Sequence, residues 1–239
     1  MSRMEPFLGL SKQVWKFFLP VFAVTLLVGF LVSWLIALLP AGLGLYILWF
    51  FRDPERKTPG IPNSITSPAD GKIASVLEVP CEEMPGGRAL RVAVFLNVFN
   101  VHVQRAPIAG RVFKREVRAG QCMNALNEKC SEVNEAVTIW LDSEFGPIGV
   151  RQLSGAIARR IICAAKEGDS LERGERYGII QFASRVEVFL PLTASVKVQP
   201  GQKVVGGETC VAVLFEDQVR KGLSKEKLAK IALPAQAAG

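Results

Sequence analysis

Two stretches of this chain, KEGDSLERGERYGII at 166–180 and QPGQKVVGGETCVAV at 199–213, repeat each other with an offset of 33 residues. Both follow the frame xxGxxΦxxGExxxΦΦ, in which Φ is an apolar residue. Glycine is the residue that turns with positive φ require, and apolar runs beside such turns are typical of strands. Each stretch therefore predicts a strand, a glycine turn and a second strand, and we expect the two hairpins to pair with pseudo-symmetry.

The region from 64 to 215 has the same character throughout, because short β-rich runs alternate with glycine turns. Many short strands at such spacing predict an all-β sandwich or barrel. The repeated frame resembles the barrel-sandwich hybrids of biotinyl and lipoyl carrier domains, although the lysine motif that carriers modify is not found here. We predict a mainly β, barrel-sandwich-like domain over 64–239, with helices at MNALNEKCSEVNEA (123–136) and SKEKLAKIAL (224–233).

The N-terminal segment is strongly apolar. Residues 17–51 contain no Asp, Glu, Lys or Arg, which predicts a membrane anchor over 1–51. Pro20 and Pro40 suggest a first helix over 17–39, long enough to cross a bilayer, and a shorter second one over 41–51. Two arrangements fit these lengths: one membrane span followed by a re-entrant helix, or a helical hairpin. A cleaved signal peptide is disfavoured, because the run exceeds the about 7 to 15 apolar residues of such signals.

Basic residues flank the apolar run on both sides, and the positive-inside rule favours keeping both flanks in the cytoplasm. They are Arg3, Lys12 and Lys16 before the run, and Arg52, Arg56 and Lys57 after it. Residues 52–63 are charged and broken by prolines, which predicts a linker. The net charge of +7 fits an anionic membrane surface better than nucleic acid, since no basic block interleaved with aromatic residues is present.

The cysteines predict neither a disulfide framework nor a metal site. The five cysteines, 81, 122, 130, 163 and 210, are odd in number and contain no CxxC pair. This pattern is typical of a protein in a reducing compartment.

Three polar residues stand out in the β region. The only histidine, His102, lies in FLNVFNVHVQRAP, where alternation predicts a strand with Asn100, His102 and Gln104 on one polar face. Asp70 in SPADGKI precedes a strand, and Ser184 separates two strand-like runs in GIIQFASRVEVFLP. Each has an ordinary structural explanation: a satisfied histidine, an Asx turn and a serine at a bend. Together they are the parts of an activated serine.

The order of SPADGKI, FLNVFNVHVQRAP and KEGDSLERGERYGIIQFASRVEVFLP behind an apolar N-terminus resembles the short bacterial form of phosphatidylserine decarboxylase. The resemblance extends from about Phe51 to Leu214. It implies a carboxy-lyase of phospholipid biosynthesis that converts phosphatidylserine to phosphatidylethanolamine and carbon dioxide. It also implies a location at the bacterial inner membrane, with the catalytic domain on the cytoplasmic side.

The resemblance further implies a proenzyme that cleaves its own backbone between Ala183 and Ser184. The products are a β chain (1–183) and an α chain (184–239) that stay together as a heterodimer, while a homo-oligomer is left open. Ser184 becomes a covalent pyruvoyl group, which accepts electrons as carbon dioxide leaves, so neither pyridoxal phosphate nor a metal is expected. His102 is expected to be the base in cleavage and the proton donor in turnover, and Asp70 is expected to orient it.

The sequence departs from the family pattern at two places. The family has FGS before the cut where this chain has FAS, and Ala183 is expected to slow maturation because alanine is less permissive than glycine. Ala136 stands where the family commonly has an arginine, so the protein is expected either to act on a different lipid or to rely on another cation. The candidate cations for the lipid phosphate are Arg159, Arg160 and Lys129. Two alternatives are a family member that no longer matures and a membrane-anchored, non-catalytic adaptor module.

Overall fold

The computed structural model describes residues 4, 9–61, 63–121, 123–155, 161–181 and 184–214. A 3-10 turn at Lys12–Val14 leads into helix α1 (Trp15–Leu31), and helix α2 (Trp34–Phe50) follows. The break between them falls at 32–33 and not at Pro40 as predicted. Ser33 is extended and its hydroxyl accepts a hydrogen bond from the Leu35 amide, which caps α2. The two prolines lie inside the helices.

The two helices form a hairpin whose ends meet. The Ser11 amide donates to the Phe51 carbonyl at 2.9 Å, and the Asp53 amide donates to the Gly9 carbonyl at 2.7 Å. By length and composition, the segment Lys12–Leu31 could cross a membrane, with a mean hydropathy of 2.1. The hairpin exposes many large apolar side chains, Leu39 being 78% exposed. An apolar N-terminal helix of this kind suggests membrane association.

Fourteen strands make up the rest of the described chain, which confirms the predicted mainly β class. They are β1 (Ser64–Thr66), β2 (Gly71–Pro80), β3 (Arg88–Leu96), β4 (Val103–Arg105), β5 (Gly110–Arg118), β6 (Ala136–Ser143), β7 (Gly146–Leu153), β8 (Ile161–Cys163), β9 (Ser170–Leu171), β10 (Arg176–Ile180), β11 (Ser184–Leu190), β12 (Ser195–Val196), β13 (Lys203–Val204) and β14 (Cys210–Val213). A 3-10 turn at Pro85–Gly87 precedes β3.

The helix predicted over 123–136 is only one turn long, α3 (Cys130–Val133). Asn124 and Asn127 explain the difference. The side-chain oxygen of Asn124 accepts from the Leu126 amide, and that of Asn127 accepts from the Lys129 amide. Such local bonds offer the backbone an alternative to the helix. The helix predicted over 224–233 lies outside the described residues.

The strands form one eight-stranded sheet, in the order β13-β2-β3-β11-β7-β6-β5-β9, and two three-stranded sheets, β1-β14-β12 and β4-β10-β8. The order is symmetric about the boundary between β11 and β7. One half of the domain consists of β1–β3 and β11–β14, and the other consists of β4–β10. The second half is therefore a continuous segment inserted between β3 and β11 of the first.

The two repeated stretches occupy equivalent places in these halves, which confirms the predicted pseudo-symmetry. Gly174, with φ of 83°, donates its amide to the Ala106 carbonyl at 2.8 Å, and Gly207, with φ of 76°, donates to the Ser67 carbonyl at 2.8 Å. The expectation that the two hairpins pair with each other is wrong. Each repeat instead adds one short strand to an outer edge of the large sheet and a central strand to a small sheet, because its glycine turn separates the two strands.

The two faces of β11 differ in character. Val186, Val188 and Leu190 belong to the main apolar core, whereas Arg185 and Glu187 face the other way and are fully buried. Arg185 Nε lies 3.0 Å from Glu187 Oε1, and its Nη2 donates to Glu128 Oε2 at 2.8 Å. Removing one charge of a buried ion pair destabilises the fold, because the other charge stays buried without that partner.

Replacing Glu187 with alanine is expected to lower the free energy of unfolding by about 3 to 5 kcal/mol, because Arg185 would keep a buried charge with one partner fewer. Urea unfolding of the purified protein in detergent measures the change. The matched control is Glu78→Ala, which removes a pair with Arg88 whose side chains are 42% and 57% exposed. That loss should be under about 1 kcal/mol. Equal losses in both variants would contradict the structural role given to Glu187.

Candidate active site

His102 and Ser184 lie at the two crossovers between the halves. The chain leaves β3 after Leu96 and enters β4 through residues 97–102, and it returns from β10 to β11 through residues 181–183. Ser184 pairs with Leu96, and the Ile180 amide donates to the His102 carbonyl at 3.3 Å. The two crossovers are therefore joined to each other at both ends. Ser184 pairs with Leu96 at one end, and His102 pairs with Ile180 at the other.

The His102 ring has a defined tautomer. Nδ1 lies 2.9 Å from the Asn100 carbonyl, and since a carbonyl can only accept, Nδ1 carries the proton. Nε2 then has a free lone pair, and it is buried without a hydrogen-bond partner among the described residues. The residue lies just before β4 and not on a strand as predicted, because the Asn97 side chain closes a turn by accepting from the Phe99 amide.

The imidazole is held in its neutral form. The pKa of His102 is lowered from 6.5 to about 4, chiefly because the ring is buried; the hydrogen bond to Asn100 opposes this shift, and the positive charge of Arg52 adds to it. Near neutral pH the ring is therefore an uncharged base whose free nitrogen can accept a proton.

Ser184 begins β11 on the core side of the sheet, in line with Val186 and Val188. Its side chain is fully buried, and its Oγ has no hydrogen-bond partner within the described ranges. The next residue, Arg185, is fixed on the opposite face by its ion pairs. The backbone at Ser184 is thus held firmly while its hydroxyl stays free. Ala183 lies outside the described residues.

Asp70 has partners other than His102. Its carboxylate accepts from Arg56 Nη2 at 2.9 Å and from the Gly206 amide at 2.8 Å. No hydrogen bond joins Asp70 to His102 in the part of the chain that the structure describes, so the orienting role expected for Asp70 stays a prediction. The turn that carries Asp70 is matched in the other half by a turn with Ala109 in the same place. The turn itself therefore does not require a carboxylate.

Two glutamines support the His102 backbone. Gln104 Nε2 donates to the His102 carbonyl at 2.6 Å, and Gln152 Nε2 donates to Gln104 Oε1 at 2.9 Å. Gly178 makes room for this pair, because a Cβ there would lie 2.5 Å from Gln152 Nε2. Sequence reasoning missed Gln152, although its alternation with the core residue Val150 marks it as a polar side chain on the core face.

The candidate head-group cations are only partly described. Lys129 is exposed immediately before α3, where its amide donates to Asn127. Arg159 and Arg160 lie outside the described residues. Contact between these cations and the site therefore stays a prediction.

A buried serine hydroxyl and a neutral imidazole, at crossovers that run side by side, are the groups that serine activation uses. The family model described as Phosphatidylserine decarboxylase matches residues 43–212. The chain is 41% identical over 206 residues to the phosphatidylserine decarboxylase proenzyme of Symbiobacterium thermophilum, covering 86% of this chain and 95% of the relative. It is also 41% identical over 204 residues to the protein of that name from Nitrosomonas europaea, covering 85% and 94%. The chain belongs to the phosphatidylserine decarboxylase family, as the resemblance in its motifs predicted, and is thereby a decarboxylase by family.

The stability of the uncut Ser184→Ala chain is expected to fall as the pH drops from 6.5 to about 4. In this window the unfolded chain binds a proton at His102 before the folded chain does, so acid favours unfolding. The free energy of unfolding has its full value above pH 6.5 and is about 3 kcal/mol lower near pH 4. Urea unfolding across this range measures it, with His102→Gln in the same background as the control. Parallel profiles for the two chains would contradict the depressed pKa.

Proposed function

We propose that this protein is a membrane-bound phosphatidylserine decarboxylase that matures by cutting its own chain between Ala183 and Ser184. The observation that carries the proposal is a pair of buried atoms with no hydrogen-bond partner among residues the structure describes, Ser184 Oγ and His102 Nε2. They lie at crossovers joined by the Ile180–His102 and Leu96–Ser184 pairings. The relatives are named as proenzymes, which supports a two-chain product. A β chain (1–183) and an α chain (184–239) would then remain together as a heterodimer.

The cut uses only residues of this chain, and the later formation of the pyruvoyl group also takes up water. His102 Nε2 takes the proton from Ser184 Oγ, and the oxygen attacks the carbonyl carbon of Ala183. The carbon–nitrogen bond breaks as the amine is protonated, and an ester replaces the peptide bond. Loss of the Ser184 α-proton then expels Ala183 as a carboxylate. The remaining dehydroalanine takes up water and releases ammonia, which leaves a pyruvoyl group at the start of the α chain.

The buried surroundings of Ser184 fit such a group. Its Oγ departs with the Ala183 carboxylate and its Cβ becomes the methyl group of the pyruvoyl, so the conversion breaks no side-chain hydrogen bond among the described residues. When formed, the group supplies a ketone that binds the substrate amine and accepts the electrons released with carbon dioxide. Pyridoxal phosphate and a metal are then not needed for the proposed chemistry.

The remaining residues act around this centre. We assign His102 Nε2, once protonated, as the proton donor to the decarboxylated carbon. Asp70 is assigned to orient His102, for which its turn or the imidazole must move, because Arg56 and Gly206 hold the carboxylate in the uncut chain. Lys129, Arg159 and Arg160 are the cations proposed for the lipid phosphate.

The helical hairpin is assigned as the membrane anchor, within the segment 1–51. Its two ends meet on one side, and basic residues lie before and after it, which favours both ends in the cytoplasm. Residues 52–63 connect it to the catalytic domain over 64–239. A diacyl lipid rarely leaves the bilayer, so an anchored site meets phosphatidylserine at the membrane surface. The proposed location is the cytoplasmic side of a bacterial inner membrane.

Intact mass spectrometry of the detergent-extracted protein tests maturation. The expected result is two chains cut at Ala183, the smaller one carrying an N-terminal pyruvoyl group that reacts with a carbonyl reagent. Release of carbon dioxide from carboxyl-labelled phosphatidylserine should accompany the cut. The Ser184→Ala control should stay a single, inactive chain, because it has no hydroxyl to attack the carbonyl.

Two outcomes would contradict the proposal. A wild-type chain that stays whole in lipid would indicate a family member that no longer matures or a non-catalytic adaptor. A correctly cut chain that decarboxylates another amino lipid and not phosphatidylserine would retain the reaction class and overturn the substrate.

Replacing Ala183 with glycine is expected to speed the cut by about tenfold, because glycine reaches strained backbone conformations that alanine resists. The measurement is the half-time of chain cleavage after synthesis in the presence of lipid vesicles. Ala183→Val serves as the opposite control and should be slower than wild type. Equal half-times for all three chains would show that the residue before Ser184 does not limit maturation.

A further inference from the structure

The end of α2 lies directly against the imidazole of His102. The Phe50 ring and the His102 ring are 4.4 Å apart between centroids, with 31° between their planes. Each residue is 1% exposed. Phe50 therefore forms one wall of the imidazole site and shields it from solvent.

The same end of the hairpin also holds the backbone of the crossover. Arg52 Nη2 donates to the Phe99 carbonyl at 2.8 Å, while its Nη1 donates to the Trp49 carbonyl at 2.9 Å. The planar guanidinium thus joins the last turn of α2 to the crossover. Tyr46 adds a longer bond from its hydroxyl to the Val98 carbonyl, at 3.4 Å. Successive residues of the crossover are therefore held by one helix end.

The apolar packing around His102 has the same origin. Val101 and Val103, on either side of His102, lie in an apolar cluster with Phe50 and Phe51. This cluster is separate from the main core of the β domain. The β domain contributes Ile179 of β10 to the same cluster, and its Ile180 and Gln104 donate to the His102 carbonyl.

We propose that Phe50 at the end of α2 and Arg52 just after it position His102 for cleavage at Ser184. The hairpin is then a working part of the active site as well as an anchor. The inference rests on the proposed function, since it assigns Phe50 and Arg52 as positioning residues for the same cleavage.

A titration of His102 tests the positioning without any need for cleavage. It is the only histidine of the chain, so histidine labelling of a protein without a histidine tag gives one imidazole signal by NMR. In the Ser184→Ala background, the pKa of His102 is expected near 4. Phe50→Ala should raise it by about one unit or more, because water reaches the ring. The control Leu45→Ala alters an α2 side chain that is 68% exposed and should leave the pKa unchanged.

The rate of chain cleavage tests the consequence for chemistry. With Ser184 present, Phe50→Ala should slow the cut by about ten- to a hundredfold, since small displacements of a catalytic group cost that much. Phe50→Leu retains most of the apolar volume and should recover most of the rate. Arg52→Lys keeps the charge near His102 but loses the two-pronged contact with Trp49 and Phe99, and it should slow the cut several-fold. Leu45→Ala should cut at the wild-type rate.

The outcomes separate the two proposals. If Phe50→Ala and Arg52→Lys cut as fast as Leu45→Ala, and the pKa of His102 does not move, the hairpin is an anchor only and the inference is wrong. If Phe50→Ala fails to fold, Arg52→Lys and Phe50→Leu decide the question. If wild type never cuts, the proposed function fails, while the titration of the Ser184→Ala chain still decides whether α2 positions His102.

Discussion

The glycine turns at Gly174 and Gly207 fix the arrangement on which the rest of the β domain depends. Each turn places its amide against a carbonyl of the neighbouring turn in its own half, at Ala106 and Ser67. The positive φ at both positions strains any residue with a side chain. Because one half is inserted whole into the other, the chain crosses between them twice. β3 pairs with β11 and β4 pairs with β10, so both crossovers must run side by side. His102 and Ser184 therefore lie at opposite ends of two crossovers that run side by side.

The site retains polar groups that the fold could have satisfied. A buried polar atom without a partner costs about 1 to 3 kcal/mol, and neither Ser184 Oγ nor His102 Nε2 has one in the part of the chain that the structure describes. The ion pairs of Arg185 with Glu128 and Glu187 lie on the opposite face of the same strand and hold its start in place. Ser184 thus has a backbone that its neighbour Arg185 holds in place and a hydroxyl oxygen without a hydrogen-bond partner among the described residues. Such an arrangement suits a hydroxyl that must leave its own environment to attack a neighbouring carbonyl.

The connection between hairpin and β domain is firm. Asp53, 2% exposed, accepts from Arg105 Nη2 at 3.0 Å and from Arg176 Nε at 2.7 Å. The segment 52–63, predicted as a linker, is therefore bound to β4 and β10 at its start. Since β4 follows His102 directly, the helical hairpin, the segment 52–63 and the crossover that carries His102 form one continuous set of contacts.

The sequence by itself determined the mainly β class, the repeated glycine frame and the apolar N-terminus, because turn chemistry, alternation and hydropathy are local properties. It also singled out His102 and Ser184, since one histidine and one misplaced serine are visible without coordinates. Only the tertiary structure decided which partners these residues have. Phe50 packs on His102, and Asp70 is bound to Arg56 instead, through contacts that join separate segments of the chain. The bonds of His102 to Asn100 and Gln104 are local in sequence, but their geometry follows from the turn that Asn97 closes before β4. The sequence likewise did not predict the symmetric division of the sheet, since strand pairing depends on long-range register and not on the residues of one strand.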